Sequence, residues 1–467
     1  MPEDRIPYPT GIDAITGKPV MPPDLEEIAK ALRERLEKKP RTQRDFKYPD
    51  DLSKAGWGVI FAKGDERANA VREAFRPLLD QRRSQAGVRF HEYREDDGYV
   101  GSESALEFLT RHGSGPGMPL FSTPGVPLPE PVPSYLLIVG SPEQIPYEFQ
   151  YELDHQRAVG RLHFDRLEDY SAYANAVVAA ESLTRSSRRV AFFGPRRDPG
   201  TEVSTQGLLS PLIDSLRARP DCWVRCLLGD DATKKGLKGL LVDGELPDVL
   251  FTAGHGLLYG SGHERQLSHQ GALVCQDWPG HESGAPEPSH VFAAEDLNGG
   301  PSLQGLMTFL FACNSAGAPR LSDFASNATD LRTVAPRAFV SALAQRLLGK
   351  GALAVVGHVE QVWQCSFLWR TAGFQPQAFL EAMERLLNGF PIGWALEPIN
   401  QRYTDLAACL GQVLQDHYLG LPGREKSIAE LWTACRDARN YVIVGDPAVH
   451  LPAPPQPAPK KRVMRGG

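Results

Sequence analysis

Two apolar runs in this chain end in small-residue turns, and each turn carries a side chain able to do nucleophilic or acid–base chemistry. "DVLFTAGHGLLYG" at 248–260 presents His255, and "LMTFLFACNSAGAPR" at 306–320 presents Cys313. A free thiol has a pKa of about 8.5 and is only a few per cent thiolate at neutral pH. A neighbouring imidazole stabilises the thiolate and can protonate a leaving amine, which makes the pair suited to acyl transfer. The glycines flanking His255 let a substrate backbone approach, and the N–H groups of Gly256 and Cys313 are candidate donors to an oxyanion. Taken singly, a cysteine closing a strand is commonly a small buried hydrophobe, and a histidine between glycines a turn residue. The pair at equivalent strand ends is the more specific signal.

Strands and helices alternate along the chain, which implies an α/β fold built on a mostly parallel sheet. A first series reads as the strand "GWGVIFAK", the helix "DERANAVREAFRPLLDQRR" capped by Asp65, the strand "FHEYRE", the helix "SESALEFLTRH" and the buried strand "SYLLIVG". A Gly/Pro-rich loop at 113–133 interrupts it. After the connecting helix "RLEDYSAYANAVVAAESL" a second series runs through the strands "RRVAFFGP", "WVRCLLG" and "DVLFTAG", a polar insertion at about 260–304, and the strand "LMTFLFAC". The helix "PRAFVSALAQRLLGKG", the strand "ALAVVGHV", helices near 376–389 and 399–418, and the strand "NYVIVGDPAVHL" complete it. Neighbouring parallel strands deliver their last side chains to one carboxyl edge, where ligands of such sheets bind. His255 and Cys313 are placed to meet there.

Composition narrows the classes. With 467 residues and 42% apolar content the chain can bury a large core, and its length favours two or three domains. A formal net charge of −6 argues against a general nucleic-acid binder. The basic end "PKKRVMRGG" follows the Pro-rich "PAPPQPAP" and reads as a solvated tail. Residues 1–50 are charged and Pro-rich, with one amphipathic helix whose Leu25, Ile28, Ala31, Leu32 and Leu36 form a stripe. No signal segment or membrane span is read, so the expected location is cytoplasmic. Seven cysteines (222, 226, 275, 313, 365, 409 and 435) lack paired spacing, which suggests neither a disulfide framework nor a zinc ribbon. Cys222 and Cys226 sit on one face of a strand with no second pair nearby, and His263, His269, His281 and His290 are irregularly spaced loop residues. No metal and no cofactor is expected.

At the two turns the sequence also resembles a known group. "LFTAGHG" and "FLFACNSAG" resemble the His and Cys boxes of caspase-like cysteine peptidases, especially the gingipain-type and CHAT-domain branches. "YLLIVGSPEQIPYEF", "AVGRLHFDRLEDYSAYANAVVAAE", "GALAVVGHVEQVW" and "YVIVGDPAVHL" are similar to further segments of that group, so the resemblance covers about 135–451, and 54–134 in order of elements only.

The resemblance implies a caspase-like catalytic subdomain at 166–455, preceded by a smaller degenerate α/β subdomain at 54–165, with an N-terminal extension at 1–50 and a tail at 456–467. Cys313 is then the nucleophile and His255 the acid/base of a dyad that hydrolyses peptide bonds in a protein or peptide substrate. For the pocket that selects the residue before the scissile bond, "RRDPGTEVSTQ" offers Glu202, about where members specific for Arg carry an acid, and Asp198 nearby, pointing to cleavage after Arg or Lys. His358 and Trp363, at the same carboxyl edge, are expected to line the cleft. No acid is found where gingipains support the catalytic histidine, so a backbone carbonyl is expected to orient His255. An intracellular protease regulated by a partner or by processing fits best, without nucleic acid or membrane. The alternatives are a non-catalytic caspase-like interaction module and, more distantly, a metal-dependent hydrolase using the His-rich insertion.

Overall fold

The computed structural model describes residues 11–17, 48–113, 132–324, 332–369, 371–419, 421 and 425–452. The amphipathic stretch at 23–39, most of the loop at 113–133 and the basic tail lie outside the described residues.

Ten strands form one sheet: β1 Trp57–Phe61, β2 Phe90–Tyr93, β3 Tyr135–Val139, β4 Ala158–Leu162, β5 Arg188–Gly194, β6 Cys222–Leu228, β7 Val249–Ala253, β8 Met307–Phe311, β9 Ala354–His358 and β10 Tyr441–Gly445. Their spatial order is β2-β1-β3-β4-β10-β9-β8-β7-β5-β6. Every neighbouring pair is parallel except β10–β9, where Val444 opposes Val355 and Ile443 opposes Val356. The expected α/β class, a mostly parallel sheet flanked by helices, holds.

Seven of these strands are buried along their whole length, because helices cover both faces and continuous apolar runs are what such strands need. Alternation still sorts the side chains: Trp57, Val59 and Phe61 of β1 enter the main core, while Ile60 joins a second cluster with Leu136, Ile138, Phe108 and Phe149. At the far edge β6 alternates between half-buried and exposed positions from Cys222 to Cys226 and leaves Trp223 72% exposed.

The helices used below are α1 Arg76–Ala86, α2 Ala105–Arg111, α3 Tyr147–Asp154, α4 Leu167–Glu181, α5 Pro199–Ser204, α6 Ser210–Arg217, α7 Ala342–Gly349, α8 Gln377–Leu387, α9 Glu397–Tyr418 and α10 Glu425–Arg439. α1, α4 and α7 pack in one row and α6, α8 and α9 in another. α2 begins at a reciprocal cap in which Ser104 accepts from the Glu107 N–H and the Glu107 carboxylate accepts from the Ser104 N–H. α7 starts at Ala342, later than its helical pattern predicts, because Phe339–Val340 pairs antiparallel with Gly317–Ala318 just beyond Cys313. The first and last parts of the chain meet in a buried charge cluster. Arg82 of α1 bonds Glu181 of α4 at 2.6 Å and Asp446 after β10 at 2.7 Å, and the Trp57 indole donates to Asp446 at 2.9 Å. Removing one partner would leave an uncompensated buried charge.

The insertion after His255 is structured. Gly256–Leu258 pairs antiparallel with Leu273–Val274, which pairs with Val291–Phe292, and Gly11–Asp13 adds to Gly256–Leu258 in parallel. No helix among the described residues is long and apolar enough to cross a membrane.

Candidate active site

β7 and β8 are neighbours in register, with Ala253 opposite Phe311. His255 and Cys313 each stand two residues beyond that pair, so the expected juxtaposition of the two turns is present in the backbone. The contact is tight: a Cβ added at Gly256 would lie 1.9 Å from the Cys313 carbonyl oxygen and 2.9 Å from its nitrogen. Only glycine lets these turns approach so closely. The Cys313 turn is held from behind by Asn314, whose φ of 55° is left-handed, a conformation Asn tolerates better than most residues. Its side-chain amide donates to the carbonyls of Gly317 at 3.0 Å and Val359 at 2.8 Å, and its backbone N–H donates to the Glu360 carbonyl at 2.8 Å.

The histidine has an acid. His255 Nε2 lies 2.6 Å from Asp198 Oδ2, and the two side chains are only 3% and 12% exposed. β5 lies beside β7, so the turn after β5 faces the His255 turn. Asp198 opens α5 there, accepting from the Thr201 N–H through Oδ1 at 2.9 Å and leaving Oδ2 to the imidazole. Burial pushes the Asp198 carboxyl up, but the charge and hydrogen bond of His255, with the Thr201 bonds, hold it well below the usual carboxylate range. This corrects two expectations: the partner of His255 is a carboxylate and not a backbone carbonyl, and Asp198 is not available as the floor of a substrate pocket.

Cys313 is fully buried. Its sulfur accepts the N–H of Val362 at 3.2 Å and lies 3.8 Å from the Val362 carbonyl oxygen. Val362 belongs to the turn that follows β9, and Gln364 of that turn donates to the Gly200 carbonyl of α5 at 3.1 Å.

The remaining pocket candidates fall elsewhere. Glu202 is 39% exposed, 3.8 Å from Arg196, and accepts from Gln206 at 2.7 Å, so it caps the surface of its own helix instead of flooring a closed pocket. His358 has no exposed surface. Its two ring nitrogens face the carbonyls of Glu360 at 3.0 Å and Asp437 at 2.8 Å, and burial lowers its pKa. Trp363 is buried against Phe324, 5.6 Å between ring centres. Both therefore anchor the loop after β9 and do not line an open cleft. The acid that sequence reasoning overlooked is Glu360, in "GHVEQVW": it is buried, accepts from Ser322 and from the Asp323 N–H, and is pushed up to about 8 by burial and by the charge of Asp323.

The insertion's histidines make separate local contacts. His263 stacks on Tyr259, His269 meets Ser268 and Glu295, and His290 accepts from the Glu287 N–H. Among the described residues no group of His, Cys, Asp and Glu gathers in a way that could hold a metal ion. Cys222 and Cys226 are free thiols, like the other five cysteines.

No family model and no curated protein matches the chain. Twelve chains of solved structures are similar to it, three of which follow. One is the complex of Porphyromonas gingivalis RgpB pro- and mature domains, at 15% identity over 85% of this chain and 79% of that one, with a TM-score of 0.48. A protease structure follows at 12% identity, over 86% of this chain and 80% of that one, with a TM-score of 0.46. The third is the Saccharomyces cerevisiae separase–securin complex, at 11% identity over 68% of this chain and 16% of that one, with a TM-score of 0.35.

Proposed function

We propose that the protein is a cysteine endopeptidase of the caspase-like type, in which Cys313 is the nucleophile, His255 the acid/base and Asp198 the group that orients the imidazole. The observation that carries this reading is the 2.6 Å Asp198–His255 contact, built on strand ends adjoining the Cys313 turn. A buried carboxylate fixing one nitrogen of a histidine whose turn adjoins a cysteine turn suits a thiol acyl-transfer site.

The chemistry runs as follows. The imidazole takes the thiol proton, and the thiolate attacks the carbonyl carbon of the scissile peptide bond. The new C–S bond moves an electron pair onto the carbonyl oxygen, which the N–H groups of Gly256 and Cys313 receive. His255 hands its proton to the leaving amine as the C–N bond breaks, leaving a thioester on Cys313. Water, deprotonated by His255, then hydrolyses that thioester. Asp198 accepts from Nε2, which makes Nδ1 the nitrogen that exchanges the proton in each step.

The substrate is a protein or peptide. Neither Asp198 nor Glu202 supports a preference for Arg or Lys, since the first is committed to His255 and the second to the surface. Division into a smaller subdomain at 54–165 and a catalytic one at 166–455 is part of the same reading, with β10 completing the sheet of the second and joining it to β4. Seven free thiols fit a reducing, cytoplasmic setting. Digestion of a mixed peptide library by the wild type and by Cys313→Ala, with and without a chelator, tests the assignment. New termini should depend on Cys313 and ignore the chelator, and dependence on the chelator alone would point to a metal hydrolase instead.

A further inference from the structure

The catalytic assignment creates a problem that the structure itself answers: a nucleophile with no exposed surface cannot meet a peptide. Against the Cys313 sulfur lies the backbone of Val362, in the chain between His358 and Phe367. We propose that this loop is an autoinhibitory plug, with the backbone of Val362 seated on the Cys313 sulfur where a substrate backbone must lie, and with Gln364 and Asp437 as its latches. The inference rests on Cys313 being the nucleophile and adds how the site is kept closed.

The group in contact with sulfur is the Val362 N–H, at 3.2 Å. Donation from the Val362 N–H stabilises the sulfur, and the Val362 carbonyl presents its oxygen to it, at 3.8 Å. Two sets of bonds hold the part of the loop that follows Val362. On one side Gln364 Nε2 donates to the Gly200 carbonyl at 3.1 Å, tying the loop to the helix that Asp198 caps. On the other, Asp437 of α10 accepts from the Trp363 N–H at 2.9 Å and from the Ser366 hydroxyl at 2.5 Å, while its own carbonyl faces His358 Nε2 at 2.8 Å. Arg402 of α9 reaches the same carboxylate at 3.4 Å and also donates to the Cys365 carbonyl.

The closed loop also carries a cost. Gln361 Oε1 and the Trp363 indole N–H are buried without a hydrogen-bond partner among the described residues. Unpaired buried polar groups oppose closure, so part of what the loop gains from its bonds is offset by a standing penalty. Both latches lie outside the Cys313–His255–Asp198 set. A partner that shifts α9 and α10 would therefore open the site by withdrawing Asp437, without touching the chemistry.

Timed alkylation of the native full-length protein with iodoacetamide, read residue by residue by peptide mass mapping, tests the plug. Cys409 is exposed and Cys275 buried, giving internal references for an accessible thiol and for unfolding. In the wild type Cys313 should react at least about 100-fold more slowly than Cys409. In Gln364→Ala, and separately in Asp437→Ala, its rate should rise about 10-fold or more relative to Cys275. Wild-type Cys313 reacting as fast as Cys409 would overturn the proposal, as would a Cys313-to-Cys275 ratio unchanged in both variants, including through a joint rise of the two. The two readings fail separately. Uncovered Cys313 without peptide cleavage would remove the protease and leave the plug, whereas Cys313-dependent cleavage at equal rates in wild type and both variants would remove the plug and leave the protease.

Discussion

Asp198 and His255 meet at 2.6 Å across adjoining strand ends, and the carboxylate does two jobs at once: one oxygen caps α5 and the other fixes the imidazole. Asp198→Asn keeps a competent cap but offers an amide to the ring, favouring the wrong tautomer. Cleavage should fall by roughly 10²- to 10⁴-fold with little change in melting temperature. Asp198→Ala should lose the same activity and about 1 kcal/mol of stability in addition, measured by denaturant melts. Equal activity in Asn and wild type would remove Asp198 from the mechanism.

Gly256 packs its bare Cα on the Cys313 carbonyl, where a methyl group would sit 1.9 Å away. Gly256→Ala must push the two turns apart. A loss of about 1–3 kcal/mol in stability is expected, as for other overpacked sites, together with a fall in kcat that exceeds any change in KM. A fully active, fully stable Ala variant would show that the turns are not in contact.

How much of this was legible in the sequence differs by element. The strands were, because runs such as "YLLIVG" and "MTFLF" are apolar along their whole length and buried on both faces. The meeting of the His255 and Cys313 turns was, because each follows such a run at the same offset. Asp198 was read as an acid of the specificity pocket: its contact with His255 depends on β5 lying beside β7, and strand order is a tertiary fact that local pattern does not carry. The same limit explains Glu202, placed in a pocket by analogy of position although its helix turns it outward to Arg196. α10 escaped notice because "EKSIAELWTACRDAR" is mostly charged or small, and Ile428, Leu431, Trp432 and Cys435 alone mark the stripe that packs on α9. The fold-back of the loop after β9 onto Cys313 left no local signal at all.

Exposure of Glu202 yields a prediction opposite to the one its position suggested. Glu202→Gln should leave the preference before the scissile bond unchanged within about 2-fold, because an exposed ion pair contributes little. Competition between Arg- and Asp-containing peptides in one digest measures it. A loss of Arg or Lys cleavage confined to this variant would restore Glu202 as a specificity residue.

Glu360 supplies a pH test. Burial and Asp323 raise its carboxyl from 4.5 to about 8, so the folded state holds a proton that the unfolded state releases. Its contribution is fully present below about pH 4.5 and is lost as pH rises through about 8. Glu360→Gln keeps the shape without the charge, so the stability of the wild type relative to the variant should decline steadily between pH 5 and 8.5. Melting both proteins across that range checks the sign, and a difference that does not change with pH would contradict it.

The central claim is that peptide cleavage passes through a thioester on Cys313. Acid-quenching the wild type and the loop-released Gln364→Ala protein during turnover of an activated peptide ester, then mapping the acyl group by mass spectrometry, tests it most directly. The account predicts an acyl adduct on the Cys313 peptide alone, discharged by hydroxylamine and absent from Cys313→Ala, which should also fail to cleave. Cleavage that persists in Cys313→Ala, or an adduct on any other residue, would contradict it.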